Sequence, residues 1–183
     1  PYLIDLYEEF HKNKKKVVIL GEGAQGFGLD IDWGDYPFVT SSHCTTAGAM
    51  LNGIPHSAVK NVYGNAKIYE TYVGAKKFEP DEPIFAKIRE AGEEYGATTG
   101  RPRQCNWIDL DHLERGIRIN GVTHLILNKV DVLRAVGAWG AIADGKARRF
   151  KTEKQLKDFI TKRLAKVGLK KNRIIFSESK EKI

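Results

Sequence analysis

Apolar residues recur along this chain at two spacings, and the changes between them mark its elements. Leu3, Leu6, Tyr7 and Phe10 keep helical spacing. After Lys14, Lys15 and Lys16, the continuous run Val17, Val18, Ile19 and Leu20 predicts a strand. Glycines and prolines then erase periodicity until residues 45–51, a predicted short helix broken by Gly53 and Pro55. Between 59 and 72 the alternation of Val62, Gly64, Ala66 and Ile68 predicts one buried strand. A helix is predicted over 84–91 with Gly92 as its stop, and Leu125, Ile126 and Leu127 form another β-type run. Leu156, Phe159, Ile160 and Leu164 trace one face of a helix over 153–167, with Thr152 and Gln155 spaced for a capping box and Gly168 beyond its end. A strand over 173–176 follows.

At 183 residues the chain has the size of one domain, and 42% hydrophobic against 29% charged residues excludes a disordered composition. No apolar run approaches the length of a bilayer span, and no signal-peptide pattern opens the sequence, so no membrane partner is expected. Cys44 and Cys105 lack metal-ligand spacing and read as packing residues with reduced thiols, which predicts a cytoplasmic protein. The net charge of +7 permits polyanion binding without selecting a partner. In the last third, however, lysines alternate with the apolar face of the 153–167 helix, without aromatic residues placed for base stacking. That pattern predicts a solvated helix face and no nucleic-acid partner.

Candidate chemistry begins in the glycine-rich stretch 21–42. Gly21, Gly23 and Gly26 satisfy G-x-G-x-x-G, yet Gly28, Gly34, Pro37 and the crowded Asp30, Asp32 and Asp35 exclude the crossover helix a dinucleotide fold requires. Asp30 and Asp32 fit Asx-type turns that organise the loop's own backbone. His43 stands beside this stretch without a placed partner, which favours a structural role.

Two further clusters carry chemistry. Thr98, Thr99, Gly100, Arg101 and Arg103 set hydroxyls and guanidinium forks within six residues, suited to a small dicarboxylate or a phosphate. The run 125–131 ends in Asn128-Lys129-Val130-Asp131, an N-K-x-D motif. A carboxylate at Asp131 accepts hydrogen bonds from guanine's N1–H and exocyclic amine, donors that adenine does not present in that arrangement. The methylene stem of Lys129 is suited to lie along the base plane.

Glu22-Gly23-Ala24-Gln25-Gly26, then residues 29–32, 35–42 and Thr45-Thr46-Ala47-Gly48, resemble the central signature of adenylosuccinate synthetase. The 96–103 and 125–131 clusters follow in that family's order, so the resemblance covers nearly the whole chain. It implies an α/β fold, with a mostly parallel central sheet and flanking helices of P-loop-NTPase-like synthetase type. Residues 1–183 would be the C-terminal half of one such domain.

The implied activity is a GTP-dependent ligation of L-aspartate to inosine monophosphate (IMP), giving adenylosuccinate, GDP and phosphate. Gln25 is expected nearest the chemistry. IMP would be held by Gln25, Thr40, Val73 and Arg101; aspartate by Ala97, Thr98, Thr99, Gly100, Arg101 and Arg103; GTP by Arg103, Lys129, Val130, Asp131 and Ser177. Gly96 and Gly100 flank the aspartate loop, which is expected to close on its substrate.

The cofactor implied is Mg2+, with its ligands, the phosphate loop and the main acid and base expected in the family's N-terminal half and no metal ligands here. That half and a second copy of the complete enzyme are the implied protein partners. Two alternatives are a viral-type relative acting on deoxyguanylate and a guanine-nucleotide-binding module without activity. The chain departs from the family at Tyr72, Lys76 and Lys77, and at Glu178 and Ser179 after the matching Ser177.

Overall fold

The computed structural model describes residues 3–12 and 18–179. They fall into two compact units, Pro1–Val62 with Ile119–Gly121 and Tyr63–Arg118 with Val122–Ile183.

The first unit is mostly irregular. Its regular pieces are a π-type turn at Glu8–Lys12, single 3-10 turns at Phe27–Leu29 and His56–Ala58, and the short helix α1, Ala47–Leu51. The N-terminal apolar spacing thus gives helical turns, although Leu3 and Tyr7 remain exposed. The strand predicted over 17–20 is not formed: Val17 lies outside the described residues, and 18–20 are irregular. Val18 is 98% and Leu20 90% exposed, because a β-type run becomes a strand only where another strand answers its N–H and C=O groups. Residues 21–26 likewise open no α-helix, in keeping with the exclusion of a dinucleotide fold.

The second unit contains two sheets. Strands β1 (Tyr63–Lys67), β4 (His124–Asn128) and β7 (Ile174–Phe176) form a parallel sheet in the order β1-β4-β7. Strands β2 (Tyr69–Tyr72), β3 (Gln104–Asp109), β5 (Trp139–Ala143) and β6 (Lys146–Phe150) form a mixed sheet in the order β2-β3-β5-β6, with β3 and β5 parallel. Helices α2 (Pro83–Gly92), α4 (Val130–Val136) and α5 (Glu153–Ala165) accompany them, and α3 (Leu110–Asn120) carries the chain from β3 towards β4.

The single strand expected over 59–72 is therefore two strands in two sheets. Ile68 and Tyr69 are both fully buried, which consecutive residues of one flat strand cannot achieve on a single face. The chain bends between them, Ile68 N–H still bonding Asn128 O at 2.9 Å while Tyr69 pairs with Trp107.

Local chemistry sets most other boundaries. Gly92 is not the stop of α2 but its last residue; Glu93, at φ 52°, forms the left-handed cap. At the start of α3, Asp109 Oδ1 accepts from the N–H groups of Asp111 and His112 at 2.9 and 3.1 Å, satisfying two donors without helical partners. Thr152 Oγ1 accepts from Gln155 N–H at 3.2 Å to cap α5, while Gln155 Oε1 reaches Lys151 N–H rather than that of Thr152. Leu156, Ile160 and Leu164 are buried on the helix face predicted for them. Two of its lysines face acids: Lys154 pairs with Asp158, and Lys157 with Glu153 and Glu178. Among the described residues no helix is long and apolar enough to cross a membrane.

Candidate functional site

In the first unit the glycine-rich stretch is organised by Asp30, which is fully buried. Its Oδ1 accepts from Asp32 and Trp33 N–H at 2.9 and 3.0 Å, and its Oδ2 from Cys44 N–H at 2.6 Å. Burial alone would raise its carboxyl pKa, but these backbone donors prevail and hold it below the usual range. Asp30 thus forms the Asx-type turn expected of it. Asp32 instead lies exposed, with Oδ2 3.3 Å from His43 Nδ1. Gly34 passes so close to the Asp30 and Gly28 carbonyls that a Cβ would come within 2.5 Å of both.

On this frame Gln25 adopts φ 64°, and its Oε1 lies 2.9 Å from Thr40 Oγ1 and 3.3 Å from Cys44 Sγ. Thr40 Oγ1 also lies 3.1 Å from Leu29 O and accepts from Ser42 N–H at 3.2 Å. Two predicted site residues, fifteen positions apart in sequence, therefore touch.

In the second unit residues 96–103 form a tight loop. Tyr95 and Pro102 pair across its neck, Gly96 N–H bonds Arg101 O at 2.9 Å, and Gly100 N–H bonds Gly96 O at 2.8 Å. Gly100 sits at φ 64°, a conformation that favours glycine. Ala97, Thr98, Thr99, Gly100 and Arg101 are all exposed at the tip. Arg103 lies at the base, its Nη1 3.0 Å from Glu94 Oε2.

Glu94 was not singled out by the sequence, yet it is 1% exposed and surrounded by donors. Lys67 Nζ gives to Oε2 at 2.7 Å, and Tyr69 OH to Oε1 at 2.7 Å. Burial would raise the Glu94 pKa, but the bonds from Lys67 and Tyr69 outweigh it and keep the acid ionised below the usual range. Burial lowers the pKa of Lys67, with Glu94 opposing the shift, and raises that of Tyr69, to which Glu94 adds. The sequence signal was only an acid two residues before the loop's first glycine, indistinguishable from its neighbour Glu93.

The N-K-x-D motif occupies the carboxyl end of β4 and the start of α4. Asn128 Nδ2 bonds Asn65 Oδ1 on β1 at 2.8 Å, while its own Oδ1 is buried without a partner. Lys129, at φ 65°, is the helix cap and turns Nζ onto Gly92 O at 2.8 Å. Asp131 is exposed in the first turn of α4 and does not itself cap the helix. Ser177 continues β7 beside this motif: its N–H bonds Leu127 O at 2.8 Å, and its carbonyl lies 3.4 Å from Val130 N. The structure thus brings Lys129, Val130, Asp131 and Ser177 to one strand end. Glu178 points its charge to Arg134 and Lys157 at 3.3 and 3.0 Å.

Val73 is 45% exposed just beyond β2. Tyr72 folds its hydroxyl back over Gly74 and takes Lys76 over its ring at 5.8 Å. Gln104, also missed in the sequence, staples this loop: Nε2 donates to Lys76 O at 2.8 Å, and Oε1 accepts from Phe78 N–H at 2.8 Å. Among the described residues no three His, Cys, Asp or Glu side chains gather where they could hold a metal ion.

The family profile described as adenylosuccinate synthetase matches residues 1–142. The chain is 50% identical over 125 residues to adenylosuccinate synthetase of Cytophaga hutchinsonii, spanning 67% of this chain and 29% of that protein. It is 47% identical over 140 residues to the Lawsonia intracellularis synthetase, spanning 73% of this chain and 32% of that one. The solved structure of fully ligated adenylosuccinate synthetase from Plasmodium falciparum matches with a TM-score of 0.76 at 28% identity, over 97% of this chain and 52% of the other. The chain therefore spans 29% to 32% of the length of these curated relatives.

Proposed function

Because the chain belongs to the adenylosuccinate synthetase family, we propose that it carries the guanine-nucleotide and aspartate sites of a GTP-dependent ligase joining L-aspartate to IMP. The observation that carries this reading is the strand end where Lys129, Val130, Asp131 and Ser177 meet. Carboxyl ends of parallel strands are where α/β sheets collect ligands, and an exposed carboxylate there suits guanine's paired donors.

In this reading Asp131 accepts from the guanine N1–H and amine, with the Lys129 stem along the base, Val130, fully buried, anchoring the turn that carries both, and Ser177 at the other edge. Arg101 and Arg103 fork onto the carboxylates of aspartate, while Thr98, Thr99 and the N–H groups around Ala97 and Gly100 occupy the remaining lone pairs. Thr40 binds the IMP phosphate, Val73 packs by the ribose, and Gln25 hydrogen-bonds near the reacting purine. The chemistry is phosphorylation of the purine 6-oxygen by GTP, after which the aspartate amine displaces phosphate. Arginines that neutralise charge developing on the transferred group contribute by position rather than by bond-making. Mg2+, the phosphate loop and the general acid and base belong, in this proposal, to the family's N-terminal part, in a cytoplasmic homodimer.

The test is a calorimetric titration of the full-length protein carrying this chain with GDP and with ADP, beside an assay for adenylosuccinate. GDP should bind at least about tenfold more tightly, and Asp131→Ala should erase that preference, as expected when a buried donor pair loses its acceptor. Equal affinity for the two nucleotides in the unmodified protein would overturn the guanine assignment. Guanine-selective binding without turnover of IMP and aspartate would overturn the ligase.

A further inference from the structure

Resting on that reading, we infer that Glu94 is a positioning residue that ties the aspartate loop to the guanine-binding motif through the C-terminal end of α2. The turn 92–94 is in contact with both. Gly92 O receives Lys129 Nζ at 2.8 Å, and Glu94 Oε2 receives Arg103 Nη1 at 3.0 Å. The backbone repeats the second link, Arg103 N–H bonding Glu94 O at 2.9 Å.

The turn itself leaves little room for movement. A Cβ at Gly92 would collide with the Tyr69 hydroxyl and come within 3.2 Å of Glu94 Cγ. Tyr69, in turn, holds the other Glu94 oxygen, and Lys67 Nζ, which also reaches Thr71 Oγ1 at 2.9 Å, completes the shell. Arg89 on α2 adds a second restraint on the loop base, Nε to Arg103 O at 2.6 Å.

This arrangement fixes one edge of the Arg103 guanidinium and leaves its remaining donors for a ligand. A guanidinium fork binds a carboxylate well only if it is already oriented, since otherwise ordering the long side chain offsets the two hydrogen bonds formed. Lys129 and Arg103 carry like charge and approach the same short turn, and the Glu94 carboxylate, bonded directly to Arg103 at 3.0 Å, offsets their repulsion. Movement of the aspartate loop would thereby be felt at the cap of α4, where the guanine motif begins.

The experiment compares the full-length protein with its E94Q, E94D, R103K and E94Q/R103K variants, measuring aspartate KM, kcat, GDP affinity and thermal stability. E94Q is expected to raise aspartate KM about tenfold, the size of one lost charge-assisted hydrogen bond, with kcat changed by less than about threefold. GDP affinity should weaken in the same direction. The double variant should be no worse than R103K alone, because Glu94 acts through Arg103. Should E94Q fail to fold, E94D keeps the charge but withdraws it by one methylene, and its KM should rise about threefold.

A folded E94Q or E94D protein with unchanged KM would overturn the inference while leaving the ligase reading intact. Effects of E94Q and R103K that simply multiply would do the same. Absence of aspartate-dependent turnover in the unmodified protein would overturn both.

Discussion

Lys67, the last residue of β1, and Arg103, in the loop just before β3, donate to the same carboxylate oxygen, Glu94 Oε2, at 2.7 and 3.0 Å, from opposite sides of Glu94 in sequence. Two cations sharing one buried anion make the stability of this region dependent on the ionisation of a single group.

The sign of that dependence follows from the folded state holding Glu94 below its ordinary pKa. The contribution is complete above the unfolded value, about 4.3, and is lost as pH falls through the lowered folded value. Glu153, brought down to about 2 by its hydrogen bonds from Arg134 and Lys157, acts in the same window. Thermal melts should therefore be flat near neutrality and fall steeply between about pH 4.5 and 2. In E94Q the acid slope should be shallower; an unchanged slope would remove Glu94 from the account.

Gly140 on β5 lies against Trp107, and a Cβ there would come within 2.5 and 2.7 Å of the indole Cδ2 and Cε3 atoms. Arg149, whose guanidinium carbon lies 4.1 Å from the centroid of that ring, would crowd the same Cβ, its Nη1 coming within 2.9 Å. Gly140→Ala should cost about 1–3 kcal/mol by overpacking. Urea denaturation followed by tryptophan fluorescence measures this directly.

Asp30 satisfies three backbone N–H groups of its loop, and Asp30→Ala would remove the charged acceptor that all three share. The expected loss is about 2–3 kcal/mol at this loop. Limited proteolysis should find new cleavage between residues 28 and 44 in the variant, with the second unit remaining resistant. Unaltered cleavage would mean that Gly34 and the neighbouring backbone bonds suffice.

The two thiols should behave differently. Burial pushes the Cys105 pKa up to about 11, so at pH 8 it is protonated as well as shielded. Cys44 is only half-buried. Titration with a chromogenic disulfide should register one thiol promptly and the second only on unfolding.

Several elements were legible because their causes are local. The face of Leu156, Ile160 and Leu164 and the cap at Thr152 need only neighbours within a turn, and both appear where their spacing put them. The Asp144-Gly145 turn between β5 and β6, with φ 56° and 67°, was equally local, an Asp-Gly hairpin signal that the sequence reading passed over. Boundaries were less legible: α2 closes on Glu93 rather than Gly92, and α5 ends at Ala165, short of the 167 expected.

By itself the sequence determined the three signatures and their order, since spacing and residue chemistry are properties of the chain alone, and through the family those signatures resemble it implied the class of fold. Tertiary structure decided whether the run at 17–20 became a strand, where the chain left one sheet for the other at Ile68, and which acid would serve Arg103. Each depends on a partner distant in sequence. A strand needs another strand's peptide groups, two adjacent residues need two faces to be buried, and Glu94 differs from Glu93 only because Lys67, 27 residues away, and Arg103 converge on it. Such convergence follows from closing long loops around a core, and no local periodicity encodes it.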